Sequence, residues 1–273
     1  MNRTYRYWAS TLGLVLTGVI FVVPFAFILL TSLKTRQEAN LLEFSWPTEI
    51  AFVDNLVEVI QARDLMLVIA FINSTVLTVA SVAGIVVLSA MVAFVLQRRK
   101  TRWNPFINFL VLSGLIIPPA VVPTIWVLQG ISLFDTMLGL ILVEVAFGLS
   151  FSILLFRAFI STIPREIDEA AIIDGAGPLR VFFRIILPLL KPVVVTVIVV
   201  QAVQVFNDFV NPLYFLPGNP TVQLTLYNFQ SQFQTSYNLL FMDILLITIP
   251  PLVMFIFFNR QIVAGMTSGA VKG

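Results

Sequence analysis

Residues 161–188 read STIPREIDEAAIIDGAGPLRVFFRIILP, a polar, patterned insert between two long apolar runs. Pro164 suits the first position of a helix, where its missing N–H costs nothing. Glu166, Asp168 and Glu169 follow in the opening turns, where the helix dipole favours anions. Gly175 and Gly177 interrupt the helix, and Pro178 can start another. The pattern predicts a short helix, a tight turn and a second short helix. Ala170 and Ala171 give the first helix a low profile that another protein can approach closely. The same pattern also fits an interfacial helix pair lying on a bilayer, and on the residues alone both readings stand.

The surroundings of this insert are those of a chain dissolved in lipid. Of 273 residues, 59% are hydrophobic and 11% charged, and the mean hydropathy is +0.98. That is too apolar for an ordinary soluble domain of this length. A helix crosses a bilayer with about 20 mainly apolar residues. Six runs qualify, at 8–33, 65–96, 105–129, 136–159, 192–213 and 239–259. The expected architecture is therefore an all-α membrane protein of six transmembrane helices, with residues 1–273 forming one transmembrane domain. Arg3 and Arg6 precede the first run as in a signal peptide. The run is too long for the core of one and no small-residue cleavage site follows, so it reads as a retained anchor.

Assigning alternate links to opposite sides sorts the cations. Arg3, Arg6, Arg98, Arg99, Lys100, Arg102, Arg157, Arg165, Arg180, Arg184, Lys191, Arg260 and Lys272 fall on one side; Lys34, Arg36 and Arg63 fall on the other, among six acids. The positive-inside bias then makes both termini cytoplasmic, and six spans agree by returning the chain to the side where it began. The outer link 34–64 contains Trp46-Pro47 and a short amphipathic helix at 52–60, and the outer link 214–238 is uncharged but rich in Gln, Asn, Thr and aromatics.

Whole-chain charge is only +2, and Cys and His are both absent. Thiolate metal sites and most hydrolase constellations are thereby excluded. Gly13 and Gly18 have the glycine spacing of a phosphate-binding loop, but no Lys follows and the segment lies inside an apolar run.

The insert resembles the EAA loop of ATP-binding-cassette (ABC) importer permeases: Glu-Ala-Ala, three residues, Gly, nine residues, then Ile-x-Leu-Pro. Glu169-Ala170-Ala171, Gly175, Ile185, Leu187 and Pro188 stand at that spacing without an insertion. Two further segments resemble the carbohydrate branch. One runs from Phe206-Asn207-Asp208-Phe209 through Asn211-Pro212-Leu213 to Phe215-Leu216. The other, residues 265–273, resembles the tail of the smaller membrane subunit of maltose-type transporters. With the six spans, the resemblance covers essentially the whole chain.

The resemblance implies a type I importer permease fold in a prokaryotic cell membrane, with this chain forming half of the translocation pathway. It implies a second permease subunit, most simply in a heterodimer, and an extracytoplasmic solute-binding protein that delivers a carbohydrate. It also implies two ATP-binding subunits, which hold ATP and Mg and carry out hydrolysis; this chain would be no enzyme and hold no cofactor. The coupling loop would be residues 160–188, with Glu169, Ala170, Ala171, Asp174, Gly175, Ile185, Leu187 and Pro188 as ATPase-coupling residues. Glu169 would pair with a cation on the ATPase and Gly175 would provide a sharp exit. Phe182, Phe183 and Ile186 would anchor the loop against the spans that follow. The tail 263–273 would insert between the ATPases; a frayed terminus is the alternative.

On the fifth run, Gln201, Gln204, Asn207, Asp208 and Asn211 share a helical sector of about 120° at about 100° per residue. Beside Phe206, Phe209 and Tyr214, such amides suit sugars, which need neutral hydrogen bonds and an apolar face. They equally suit hydrogen bonding between helices. Ser74, Thr78 and Ser81 on the second run read as packing. Pro118-Pro119 and Pro123 interrupt the third and fit a bend, a gate or a kink that neighbouring helices absorb without functional meaning. Glu144 and Asp243 are acids within runs, and with Asp208 they would serve a proton-coupled transporter, the competing reading. An intramembrane hydrolase lacks any paired catalytic arrangement.

Overall fold

The computed structural model describes the backbone of residues 3–226 and 236–268; side chains are described from Leu12 to Asn259, apart from residues 14, 15 and 227–235. The chain is helical and contains no strand among the described residues. The helices are α1 (Arg3–Leu33), α2 (Arg36–Ala39), α3 (Phe52–Arg98), α4 (Asn104–Ile116), α5 (Val121–Gly130), α6 (Met137–Ile160), α7 (Glu166–Ile173), α8 (Pro178–Val181), α9 (Leu187–Leu189), α10 (Lys191–Phe206), α11 (Val210–Phe215), α12 (Val222–Thr225) and α13 (Tyr237–Ser268); a π-helical turn, Phe182–Ile186, joins α8 to α9. Two compact units form. The first comprises residues 1–70 and 224–249, the second residues 71–223 and 250–273.

Among the described residues, four helices are long and apolar enough to cross a membrane: α1, α3, α6 and α13. The segments Pro178–Leu189 and Lys191–Phe206 pass the same test as a pair bent by 78°. The third expected run is divided between α4 and α5, each shorter than a span. Pro118 explains the division: the residue before a proline is pushed out of the helical region, and Ile117 is extended at φ −80° and ψ 122°. The fifth run is also interrupted, because α10 stops at Phe206 and α11 starts at Val210. The expected continuous helical sector over 201–211 therefore does not form. Asp208 is the local reason: its carboxylate accepts the amides of Val210 (2.8 Å) and Asn211 (3.2 Å), capping a fresh helix start.

In the first unit, the link after α1 is held by polar groups that the sequence presents as solvated. Lys34 is only 1% exposed, and its Nζ donates to the Glu43 carbonyl (2.7 Å) and Ser45 Oγ (2.9 Å). The Asn55 amide caps the end of α1 at the carbonyls of Ser32 and Lys34 (both 2.9 Å), and Asn238 donates to Asn55 Oδ1 (2.7 Å). The Thr48 hydroxyl and amide donate to Glu38, holding its carboxyl below the usual range, with the hydroxyl as the main cause. At the far end of the link, α3 is broken at residues 62–65, where Arg63, Asp64 and Leu65 have positive φ. The expected short helix at 52–60 therefore forms, set off by this kink from the helix of the second run.

The second unit is built around α6. Thr136 accepts the Gly139 amide (3.1 Å) and so starts the helix. Its fully buried Phe156 and Ile160 join Ile85 of α3, Ile186 of the π turn and Leu190 in one apolar core. Lipid tails are as apolar as these side chains, so the core is held mainly by close packing. Gly148 allows that packing: a Cβ there would lie 2.5 Å from Ile85 Cδ1 and 3.0 Å from Gln201 Oε1.

Candidate functional site

The insert folds in the expected order. Helix α7 begins two residues after Pro164, at Glu166, with Glu166, Asp168 and Glu169 in its first turn. It ends at Ile173, and Gly175 reverses the chain with φ +82°. A side chain there would meet nothing within 4 Å among the described residues, so the requirement for glycine is conformational. Pro178 then starts α8.

Glu169, Ala170, Asp174 and Gly175 lie on the exposed surface of this element, whereas Ala171 is buried. Ile172 is 61% and Ile173 86% exposed, an apolar tip flanked by these polar groups. Ile185 and Leu187 are half-buried and Pro188 is exposed. Of the expected anchors, Phe182 and Ile186 are buried, and the Phe182 ring meets Phe94 of α3 at 5.7 Å, tilted by 47°. Phe183 does not anchor: it is on the surface, edge-on to Phe182 at 4.9 Å, because successive helical positions point in different directions and Phe182 takes the buried side.

The insert is also fastened to the end of α3 by polar contacts that residue spacing does not reveal. Arg98 Nε forms an ion pair with Asp168 Oδ2 at 2.5 Å, and both side chains are about nine-tenths buried. A second Arg98 nitrogen donates to the Ile163 carbonyl (3.0 Å). In the opposite direction, Arg165 donates to the carbonyl of Gln97 (3.1 Å), one of the unsatisfied groups at the α3 C-terminus. Between the two elements lies a cavity of about 510 Å³, with Phe94, Val95 and Phe182 on its apolar side and Arg98, Arg99, Arg165 and Glu169 at its polar edge.

The amide ladder divides by environment. Gln201 is buried and donates to Ser152 Oγ of α6 (3.2 Å), so it serves helix packing. Gln204 and Asn207 are exposed. Asn207 donates to the Val203 carbonyl (2.9 Å) and accepts from Gln223 (3.2 Å). Asp208 and Asn211 are half-buried, and the Asn211 amide donates to Asp208 Oδ2 (2.5 Å) and Glu144 Oε1 (3.2 Å). Glu144, only 5% exposed on α6, is thus brought into this cluster. Asp243 is fully buried in the first unit and accepts from Thr225 (2.7 Å). Among the described residues, no group of three or more His, Cys, Asp or Glu is placed to hold a metal ion. In the tail 263–273, the side chains and the backbone beyond Ser268 lie outside the described residues.

The chain is similar to known proteins over most of its length. Residues 85–268, more than half of the chain, match the family described as binding-protein-dependent transport system inner membrane component. The chain is 31% identical to the melibiose/raffinose/stachyose import permease protein MelC of Bacillus subtilis, covering 99% of each chain. It is 32% identical to the probable starch degradation products transport system permease protein AmyC of Thermoanaerobacterium thermosulfurigenes, over 98% of this chain and 97% of that one. To the diacetylchitobiose uptake system permease protein NgcG of Streptomyces coelicolor it is 31% identical, over 95% and 87%. The crystal structure of a bacterial ABC transporter involved in the import of the acidic polysaccharide alginate shares the fold. Its TM-score is 0.78 at 18% identity, covering 95% of this chain and 98% of that one. The EAA spacing, the exposed helix that carries it and the full-length similarity agree, and the chain belongs to the binding-protein-dependent inner membrane components, the permease subunits of ABC importers.

Proposed function

We propose that this chain is one of two permease subunits of a prokaryotic carbohydrate importer, coupled to ATP hydrolysis through Glu169, Ala170, Ala171, Asp174, Gly175, Ile185, Leu187 and Pro188. The observation that carries the reading is the helix Glu166–Ile173, with its exposed polar flank, apolar tip and left-handed glycine exit. It has the form of a plug for a cleft on another protein. Six crossings with cytoplasmic termini would put this plug on the cytoplasmic side, the fifth crossing being residues 192–213, broken between α10 and α11, and the third the broken pair α4–α5. Residues 1–273 then act as a single permease domain.

In this scheme two ATPase subunits bind ATP and Mg, a second permease subunit completes the pathway as a heterodimer, and an extracytoplasmic binding protein delivers the solute. The similarity to permeases named for oligosaccharide import supports a sugar or oligosaccharide. So does the chemistry on either side of the α10–α11 break, where Gln204 and Asn207 are exposed and so is Tyr214 of α11: neutral hydrogen-bonding groups and an aromatic face are both available to a sugar. Asp208 and Asn211 shape the break, while Gln201 packs it.

The test is uptake by proteoliposomes holding the chain with its second permease and ATPases. Labelled oligosaccharide should enter only with binding protein and ATP, and Glu169→Arg should abolish uptake. Uptake that runs on a proton gradient without ATP would instead establish the secondary-transporter reading.

A further inference from the structure

We infer that α3 is a strut that carries the motion of the coupling helix to the segment Pro220–Val222, with the Arg98–Asp168 pair as its latch. The inference rests on the permease reading and adds the route by which the stroke enters the membrane. Every contact involved lies inside the second unit.

At one end, α3 and the insert are tied in both directions. Arg98 reaches out to Asp168 (2.5 Å) and to the Ile163 carbonyl (3.0 Å), and Arg165 reaches back to the Gln97 carbonyl (3.1 Å). One contact alone would act as a hinge; three crossing contacts beside the Phe94–Phe182 pair restrict rotation as well as separation. The pair is mostly shielded from water, so it is screened far less than a surface ion pair. Breaking it by removing one partner leaves a buried charge uncompensated.

At the other end, α3 holds the chain beyond α11. Asn73 donates to the Pro220 carbonyl (2.8 Å), and Ser74 Oγ accepts the Val222 amide (3.0 Å). Leu77 packs with the fully buried Phe215 and Leu216. Between these ends the helix has no break, since its non-helical residues are confined to 62–65. At 1.5 Å per residue the stretch 73–98 is roughly 38 Å long, enough to traverse a bilayer. A rod gripped at both ends transmits displacement as a rigid body. The strut therefore joins the ATPase-docking helix to the segment bordering the exposed Asn207 through the Gln223–Asn207 hydrogen bond.

The chain contains no Cys, so Asn219→Cys, at an exposed position next to the gripped segment, provides a specific reporter. In vesicles holding the complete transporter, its modification by a membrane-impermeant maleimide is measured with and without ATP. With the latch intact, ATP should change the rate several-fold. In Arg98→Ala and in Asp168→Ala the change should vanish while the ATPase subunits still co-purify and hydrolyse ATP, and the exchanged pair Arg98→Asp with Asp168→Arg should recover it. An unaltered ATP response and normal uptake in both single variants would overturn the strut and leave the permease reading intact. Failure of the otherwise unaltered chain to bind ATPases or respond to ATP would overturn the permease reading, and the strut with it.

Discussion

The side-chain amide of Asn211 lies 3.2 Å from Oε1 of Glu144, joining the short helix after the α10 break to the centre of α6. The same nitrogen reaches Asp208 Oδ2 at 2.5 Å. One amide thus satisfies two carboxyl groups, and the break is fixed in place by polar contacts. Individual hydrogen bonds between membrane helices average only about 0.6 kcal/mol. A buried polar group left without a partner costs more, about 1–3 kcal/mol. The second effect should dominate here, because Glu144 is buried. Asn211→Ala should lower stability by about 1–3 kcal/mol, and adding Glu144→Leu, which removes the orphaned carboxyl, should recover part of the loss. Thermal unfolding of the purified transporter in detergent measures both.

Gly175 separates conformational from steric requirements. Its φ of +82° disfavours any side chain, yet none of the described residues stands within 4 Å of a Cβ. Left-handed geometry costs an ordinary residue roughly 1–2 kcal/mol. Gly175→Val should therefore leave insertion intact but redirect the exit from α7, so that ATP hydrolysis persists while uptake falls. Gly175→Asn, which tolerates positive φ better, should retain more uptake. Gly177 has φ −70° at the start of α8, and Gly177→Ser should be nearly neutral. Parallel ATPase and uptake assays on the three variants distinguish these cases.

The apolar runs and the helix–turn–helix insert were legible because both are local patterns. Pro118 likewise announced the break between α4 and α5. The break at 207–209 has no proline and depends on Asp208 capping a new helix, which competes with simple continuation and cannot be judged from periodicity. Three adjacent acids in α7 look alike in sequence, yet Asp168 is buried against Arg98 while Glu169 faces outward. Seventy positions separate that pair, and only the packing of α3 against the insert decides between the acids. Glu144 was visible as an acid in an apolar run, but its partner Asn211 lies 67 positions away.

Helix α6 approaches its neighbours most closely at Gly148. Because a Cβ would sit 2.5 Å from Ile85 Cδ1 and 3.0 Å from Gln201 Oε1, Gly148→Ala overpacks the contact. Such insertions typically cost about 1–3 kcal/mol. The gain in helix propensity of Ala over Gly, about 1 kcal/mol, offsets only part of this. Net destabilisation is expected, and Ile85→Val, which removes the clashing Cδ1, should restore stability when combined with Gly148→Ala although it weakens the chain alone. A double-mutant cycle on thermal stability should show that coupling.

Lys34 tests whether the polar network of the first unit holds its loop. Its ammonium is buried and satisfied by the Glu43 carbonyl and Ser45 Oγ, with no acid among these two partners. Lys34→Met preserves the apolar stem and removes both donors, leaving the Glu43 carbonyl to seek water. Hydrogen bonds from a charged donor contribute about 1.5–3 kcal/mol, enough to loosen a short loop without unfolding the helices that flank it. Limited proteolysis should then cut within residues 40–50 faster than in the unaltered protein, while α1 and α3 stay protected. Equal cleavage rates would mean that the Asn55 contacts to the carbonyls of Ser32 and Lys34 hold the loop by themselves. In that case Asn55→Ala, and not Lys34→Met, should release it.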